Sequence, residues 1–152
     1  MKKAAIFCTL YWFVVHMSLS LLGTFMPDHF FTNKRRYFKT FSWEHNGQFW
    51  QQYFKVKLWK DYLPDGSKMN PKVKSKRQLT NFNDKENIKI FIIETRRAEF
   101  IHLLCIIPGF IFYNKRPLIK YINIIYPFVA NAPFIIAQRY NRPKLERLYK
   151  KL

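Results

Sequence analysis

The chain has 152 residues, a formal net charge of +18 and a hydrophobic content of 49%. One domain is expected at this length. A soluble protein of this size cannot bury so many apolar residues, and so strong a positive charge favours an anionic partner, either nucleic acid or a membrane surface. These values therefore argue against an ordinary soluble enzyme.

The apolar residues are gathered into blocks, and Lys and Arg lie between and after them. The blocks are residues 4–26, 100–113 and 117–137. A nucleic-acid-binding module would instead mix basic and aromatic residues within one folded unit, and the sequence has no helix-turn-helix, zinc-finger or RNP-like signature. The pattern predicts a lipid bilayer as the partner, and no nucleic acid.

The first block follows Lys2 and Lys3, as either a membrane anchor or a secretory signal would. Its extension to Met26 and the presence of Trp12 and His16 favour a retained anchor over a cleaved signal.

Residues 27–99 are rich in basic and aromatic side chains. Helical spacing places five apolar residues of this region on one side: Phe49, Trp50, Tyr53, Phe54 and Leu58. The pattern predicts an interfacial helix, with aromatic rings at the headgroups and lysines reaching anionic lipid. A small aromatic core packed on other helices fits the same pattern. A turn is expected at residues 63–66 and a solvated loop at residues 67–78.

A long helix is predicted from about residue 84, with Asn83 as its N-cap and Glu86 able to complete a capping box. It is expected to continue to Ile107, because a Pro-Gly pair follows.

The stretch ETRRAEFIH, near the end of this helix, places Glu94, Glu99 and His102 on one side. Glu99 and His102 are expected to touch. One hypothesis is that His102 acts as a general base whose ring Glu99 orients. The other, which the residues alone favour, is a buried pair that only docks two helices. Arg96 and Arg97 are expected on the opposite side, at the lipid headgroups.

No metal site is predicted from the Glu-x-x-His spacing. A carboxylate-bridged centre needs two such motifs and additional glutamates, and the chain has one. The other histidines show no ligand spacing to one another.

The last apolar block is interrupted by five residues: Lys120, Asn123, Pro127, Asn131 and Pro133. They predict a broken or re-entrant helix whose free backbone groups are covered by protein or line a cavity. A polar stretch, QRYNRPKL, follows. Asn131, Gln138, Arg139 and Asn141 are candidates for binding an oxyanion or a sugar, and binding of lipid headgroups explains them equally well.

These elements predict a mainly α, small helical membrane protein with a single membrane-embedded domain. Its parts are an N-terminal apolar anchor or uncleaved signal (4–26), a basic, aromatic-rich interfacial region (27–99), a C-terminal apolar helical hairpin (100–137) and a basic tail (138–152). Three regions are basic: Lys2 with Lys3, residues 34–97 and residues 139–151. The positive-inside tendency would place all three in the cytoplasm. Residues 4–26 would then begin and end on the same side, so they are expected to dip into the bilayer or lie shallowly.

Five stretches are distributed along nearly the whole chain, between residues 9 and 145: TLYW, LGTFMPD, GQFWQQYFKVKLWKDYLPDG, ETRRAEFIH and YINIIYPFVANAPFIIAQRYNRPKL. Together they closely resemble the glycosyl-4,4'-diaponeurosporenoate acyltransferases, membrane enzymes of staphyloxanthin-type carotenoid synthesis. The resemblance implies transfer of a fatty acyl group to the C6 hydroxyl of a carotenoid-linked glucose, in the bacterial cell membrane. It implies acyl-CoA or an acyl-carrier protein as the donor, a glycosylated carotenoid as the acceptor, and no further cofactor.

The resembling motifs contain the candidate catalytic residues Glu94, Glu99 and His102, and the candidate substrate-binding residues Asn131, Gln138, Arg139, Asn141 and Arg142. We expect His102 to deprotonate the sugar hydroxyl, and Arg139 or Arg142 to bind the donor's phosphates or the thioester oxyanion. Asn141 is expected to contact the glucose. The alternative function is a non-catalytic membrane scaffold or chaperone for other carotenoid-pathway enzymes.

Overall fold

The computed structural model describes residues 2–33, 35–64 and 84–152, and all regular structure in these ranges is helical. The predicted mainly α class is confirmed. The predicted loop at residues 67–78, part of the turn at residues 63–66, and Asn83 lie outside the described residues. The helices are α1 (Lys2–Phe25), α2 (Asp28–Asn33), α3 (Gln48–Phe54), α4 (Val56–Trp59), α5 (Lys85–Leu104) and α6 (Pro117–Lys151), with 3-10 segments at Arg35–Phe38, Ser42–Gly47, Lys60–Tyr62 and Ile107–Phe112.

Within the described ranges, α1 and α6 are the two helices long and apolar enough to cross a bilayer, with mean hydropathies of 1.8 and 1.3 in their most apolar windows. The buried residues of α1 are Trp12 and Gly23. Most of its large apolar side chains are exposed, among them Phe13 and Leu21. So much exposed apolar surface is unusual for a soluble monomer.

The single aromatic helix predicted around Phe49 to Leu58 is wrong, because the chain breaks at Lys55. Lys55 has a φ of 49°, which ends α3 and begins α4. Two hydrogen bonds satisfy the groups freed by the break: Lys57 N donates to Gln51 Oε1 at 3.0 Å, and Trp59 Nε1 donates to Phe54 O at 2.7 Å.

The aromatic side chains of this region divide between a cluster and the surface. The rings of Phe49 and Tyr53 lie 4.7 Å apart, and Trp43 contacts both Phe49 and Trp50. Tyr53 and Leu58 are nevertheless exposed. Part of the region therefore forms the predicted aromatic cluster, and a position of Tyr53 and Leu58 at a membrane interface stays a prediction.

Helix α5 begins and ends at slightly different residues from those predicted. Asp84 is the N-cap, and its carboxylate accepts from Glu86 N at 2.9 Å. Glu86 pairs with Lys89 instead of closing a capping box. The helix ends at Leu104, short of the predicted Ile107.

The 3-10 segment after α5 packs tightly on α6 at Gly109. A Cβ at this position would lie 2.8 Å from Asn123 O, so only glycine permits the close approach. The segment therefore turns the chain back directly against the partner helix.

The prediction of a broken last helix is wrong, because α6 runs unbroken through Pro127, Pro133 and Pro143. Near the first proline, Asn123 Nδ2 donates to Ile119 O at 2.7 Å and Asn131 Nδ2 to Pro127 O at 2.8 Å, so both amides bond within the helix. Packing against α5 outweighs the helix-breaking effect of the prolines. The residues expected to form a basic tail, 138–152, continue α6 as far as Lys151.

Helix α1 runs alongside α6 in the same direction, and α5 runs antiparallel to both. Trp12 Nε1 donates to Asn123 Oδ1 at 2.8 Å near the start of α6. Near the end of α1, Gly23 lies against Ile101 of α5. The beginnings of α1 and α6 therefore lie at one end of the bundle.

Candidate functional site

The antiparallel contact of α5 with α6 brings together charged residues that lie far apart in the sequence. Glu99 of α5 and Arg139 and Arg142 of α6 meet Glu44, which comes from the 3-10 segment before α3. Glu44, Glu99 and Arg142 are almost fully buried. We call these four residues the buried charge cluster.

Glu99 bridges the two arginines of this cluster. Arg139 Nη1 donates to Glu99 Oε1 at 2.7 Å, and Arg142 Nη2 donates to Glu99 Oε2. The expected contact between Glu99 and His102 is therefore replaced by a pair of charge-assisted hydrogen bonds to α6. The residues are close in sequence, but packing turns the Glu99 carboxylate toward two guanidinium groups that neutralise it.

Glu44 is a site residue that sequence reasoning missed. Its carboxylate accepts from Arg139 Nε and Nη2, each at 2.6 Å, and from Phe41 N and Trp50 Nε1, each at 2.7 Å. Burial alone would raise the pKa of Glu44, but the hydrogen bonds from Arg139, Phe41 and Trp50 outweigh this and hold the pKa below its usual value. One feature of the sequence could have indicated Glu44: it is an acid surrounded by aromatic residues, in a chain with only nine acids and 27 bases.

The turn after Glu44 lies close against α6 because of Gly47. Its φ is +89°, which favours glycine, and a Cβ there would lie 3.0 Å from Tyr140 O. This approach brings the Glu44 carboxylate to Arg139.

Arg142 is enclosed by backbone and hydroxyl oxygens in addition to Glu99. Nη1 donates to Phe38 O at 2.9 Å, while Nε and Nη2 donate to Thr95 Oγ1 and Thr95 O, each at 3.2 Å. At 1% exposure the guanidinium is sealed from solvent. Arg142 therefore connects α6 to α5 and to the 3-10 segment at Arg35–Phe38.

His102 is held by Asn131, one of the predicted substrate-binding residues. The ring Nδ1 lies 2.8 Å from Asn131 Oδ1. Asn131 Nδ2 already donates to Pro127 O, so its Oδ1 faces the histidine as an acceptor. The ring of His102 stacks on Phe134 with the centroids 4.3 Å apart. Nδ1 therefore carries the proton, and Nε2 has a lone pair that can accept one.

Glu94, the third predicted catalytic residue, lies apart from His102 in its own ion pair. Arg97 donates to Glu94 and to Asp28. Burial raises the pKa of Glu94, although the charge of Arg97 opposes the shift.

The prediction that Arg96 and Arg97 face lipid headgroups is wrong. Arg96 is buried, donating to Phe31 O at 3.1 Å and to Glu146 Oε1 at 2.9 Å. The cause is α2 and the end of α6, which cover the side of α5 that was expected to be free.

Gln138 and Asn141 are half-buried on α6. A rotation of 100° per residue places Gln138 on the same side of the helix as Asn131, about 10 Å further along. Asn141 lies to one side of this line. In the described part of the chain, no three His, Cys, Asp or Glu side chains gather in a way that could hold a metal ion.

Comparisons with known proteins point to one family. Residues 34–151 match the model of the family described as glycosyl-4,4'-diaponeurosporenoate acyltransferase. A protein of that name from Staphylococcus aureus (strain bovine RF122 / ET3-1) is 47% identical over 147 residues, covering 96% of this chain and 88% of the relative. The protein of the same name from strain N315 is 45% identical over 146 residues, with the same coverage. No solved structure matches the chain.

Proposed function

Because the chain belongs to the glycosyl-4,4'-diaponeurosporenoate acyltransferase family and is an acyltransferase, we propose that it esterifies the glucose C6 hydroxyl of glycosyl-4,4'-diaponeurosporenoate with a fatty acyl chain. The reaction is the last step of staphyloxanthin-type carotenoid synthesis, with acyl-CoA or an acyl-carrier protein as donor. The observation that carries the chemical part of the proposal is the His102–Asn131 pair, a histidine base held next to the apolar surface of the bundle.

We propose that the chain lies in the bacterial cell membrane. Large apolar side chains are exposed on α1, on the 3-10 segment after α5 and on the first half of α6, including Phe13, Ile111, Leu118 and Val129. Residues 117–137 of α6 are about 31 Å long, which matches the hydrocarbon core of about 30 Å. The buried charge cluster begins just beyond this length, where water and headgroups are available.

In this proposal His102 acts as the general base. Nε2 takes the proton of the C6 hydroxyl, and the sugar oxygen attacks the carbonyl carbon of the acyl thioester. The tetrahedral intermediate then collapses, the carbon–sulfur bond breaks, and the leaving sulfur receives the proton from Nε2. Asn131 fixes the tautomer throughout, a role that an amide oxygen also performs in some Cys-His-Asn hydrolases.

The location of His102 suits the two substrates. The carotenoid and the acyl chain are both apolar and partition into the bilayer, whereas the glucose and the thioester are polar. His102 lies near the end of α5 beside Phe134, and its neighbour Leu103 is exposed. Its partner Asn131 lies six residues, or about 9 Å, inside the headgroup end of the proposed span, so the glucose and the thioester would reach the base from that end.

Arg139 and Arg142 are proposed as positioning residues, because their nitrogens already donate to Glu44 and Glu99. By fixing α6 against α5, they keep Asn131 within reach of His102. Glu99 and Glu94 support the bundle in the same way. We propose that Gln138, on the Asn131 side of α6, and Asn141 contact the glucose.

The test is reconstitution of the purified full-length chain in detergent with glycosylated carotenoid and either donor. The expected product is heavier than the acceptor by one acyl group, and it is absent when the donor is omitted or the chain is heat-denatured. Failure of the purified chain to form product with both donors would contradict the proposal and favour the scaffold role.

A further inference from the structure

A second group of charged side chains lies on the outer side of α6. Lys144, Arg147, Leu148 and Lys151 line an open groove of about 350 Å³. Their spacing of three or four residues places them on one face of the helix. A rotation of 100° per residue puts this face roughly opposite Asn131. The groove is therefore separate from the candidate acyl-transfer site.

The end of α4 and the 3-10 segment after it add positive charge to this groove. Lys57, Lys60 and Arg147 lie close enough to Lys144 for their charges to repel its own. Lys60 pairs with Asp61 at 3.2 Å. In residues 2–33, 35–64 and 84–152, no other ion pair is formed by the lysines and the arginine of the groove.

This concentration of charge contrasts with the arginines that lie between the helices. Arg96, Arg97, Arg139 and Arg142 each bind a carboxylate of the chain itself. The groove gathers like charges from α6 and from the end of α4, so a bound anion would relieve their repulsion.

We propose that the groove is a phosphate-binding site formed by five basic residues: Lys57, Lys60, Lys144, Arg147 and Lys151. Arg147 supplies a planar fork for two phosphate oxygens, and the lysines act as point charges. Leu58, which follows Lys57, and Tyr62, two residues after Lys60, are strongly exposed and offer apolar contact to the remainder of the ligand. The phosphate comes from a lipid headgroup or from a soluble phosphate ester such as CoA. The proposal goes beyond acyl transfer and does not depend on it.

The test measures binding of pyrophosphate and of CoA to the full-length chain in phosphatidylcholine nanodiscs by titration calorimetry. The variant Lys144→Gln/Arg147→Gln removes two charges from the groove. The control Lys115→Gln/Arg116→Gln removes the same two residue types from exposed positions at the other end of the bundle. The groove variant should bind the probes more weakly, with a dissociation constant raised about tenfold or more. The control should leave the dissociation constant unchanged.

A parallel arm distinguishes the source of the phosphate. Nanodiscs that contain phosphatidylglycerol are compared with those of phosphatidylcholine, and the lipid that remains bound after detergent extraction is identified by mass spectrometry. Binding of CoA that anionic lipid does not displace identifies a soluble ligand. Retention of phosphatidylglycerol by the wild type and the control, but not by the groove variant, identifies a headgroup. If the wild type binds neither probe nor retains anionic lipid, or if the groove variant equals the control, the phosphate site is wrong, whatever the acyl-transfer assay shows.

Discussion

Arg139 binds Glu44 through two nitrogens, Nε and Nη2, each 2.6 Å from a carboxylate oxygen. The remaining nitrogen of the fork, Nη1, reaches Glu99 on α5 at 2.7 Å. One guanidinium therefore ties the segment before α3 and the helix α5 to α6. The stability of the whole bundle is expected to depend on this side chain.

Replacing Arg139 by Gln leaves the buried carboxylate of Glu44 without its ionic partner and removes one of the two arginines that bind Glu99. Removing one member of a buried ion pair costs about 3–5 kcal/mol, so Arg139→Gln should lower the unfolding free energy by about that amount. Thermal unfolding in detergent measures the loss. Lys150→Gln, an exposed change on the same helix, is the control and should stay within about 0.5 kcal/mol of the wild type. Equal melting of the two variants would show that the cluster does not hold the fold.

Glu44 and Glu94 should have opposite effects on how the unfolding free energy changes at acid pH. The folded pKa of Glu44 is depressed, so its contribution is present above the unfolded pKa near 4.5 and is lost as the pH falls through the folded pKa. The folded pKa of Glu94 is raised, so its contribution is present below the unfolded value and is lost as the pH rises through the folded pKa.

We therefore expect Glu44→Gln to reduce the fall of the melting temperature below about pH 4.5, and Glu94→Gln to steepen the fall as the pH decreases toward about 4.5. Melting curves of both variants above and below this pH check the signs. Parallel curves for wild type and both variants would mean that neither carboxyl titrates differently on folding.

The alignment of α1 with α6 predicts that the beginnings of both helices lie on the same side of the membrane. Single cysteines at Lys3 and Lys115, in a background lacking Cys8 and Cys105, should react with an impermeant maleimide from one side of intact vesicles. A cysteine at Lys150 should react from the other side. Labelling of all three positions from one side would instead support the shallow position first expected for residues 4–26.

The sequence predicted the helical class and the positions of the long helices because those features follow from local patterns, whereas the roles of the candidate site residues stay predictions. Apolar blocks gave α1 and α6, and capping chemistry gave the start of α5 to within one residue. The break at Lys55 rests on one residue with a positive φ, and the persistence of α6 through three prolines rests on packing against α5, which no local pattern carries.

The hydrogen-bond partners within the site could not be predicted from helical spacing, because they lie on different elements that are far apart in sequence. Helical spacing allows Glu99 to touch His102, but the carboxylate turns to Arg139 and Arg142 on another helix. Asn131 takes the place beside the ring, 29 residues away in sequence. Glu44 was missed because its partner lies 95 residues further along the chain.

Asn131 should matter for catalysis through the tautomer of His102. Asn131→Ala leaves Nδ1–H without its acceptor, so the protonated nitrogen is no longer fixed and kcat should fall. Asn131→Asp restores an acceptor, and its carboxylate stabilises the imidazolium, so the pH of half-maximal rate should move upward. Asn123→Ala, which removes a buried amide elsewhere on α6, is the control for general loosening. A purely structural role would give all three variants the wild-type pH profile.

The most direct test of the account is the single-turnover rate of acyl transfer by His102→Gln, measured beside His29→Gln. His29 is exposed on α2, so its variant makes the same chemical change away from the site. Loss of a general base typically costs about 10²- to 10⁴-fold, so His102→Gln should slow acyl transfer by that factor while its melting temperature stays near that of the wild type. His29→Gln should react at the wild-type rate. A His102→Gln rate close to that of the wild type would contradict the assignment of His102 as the base.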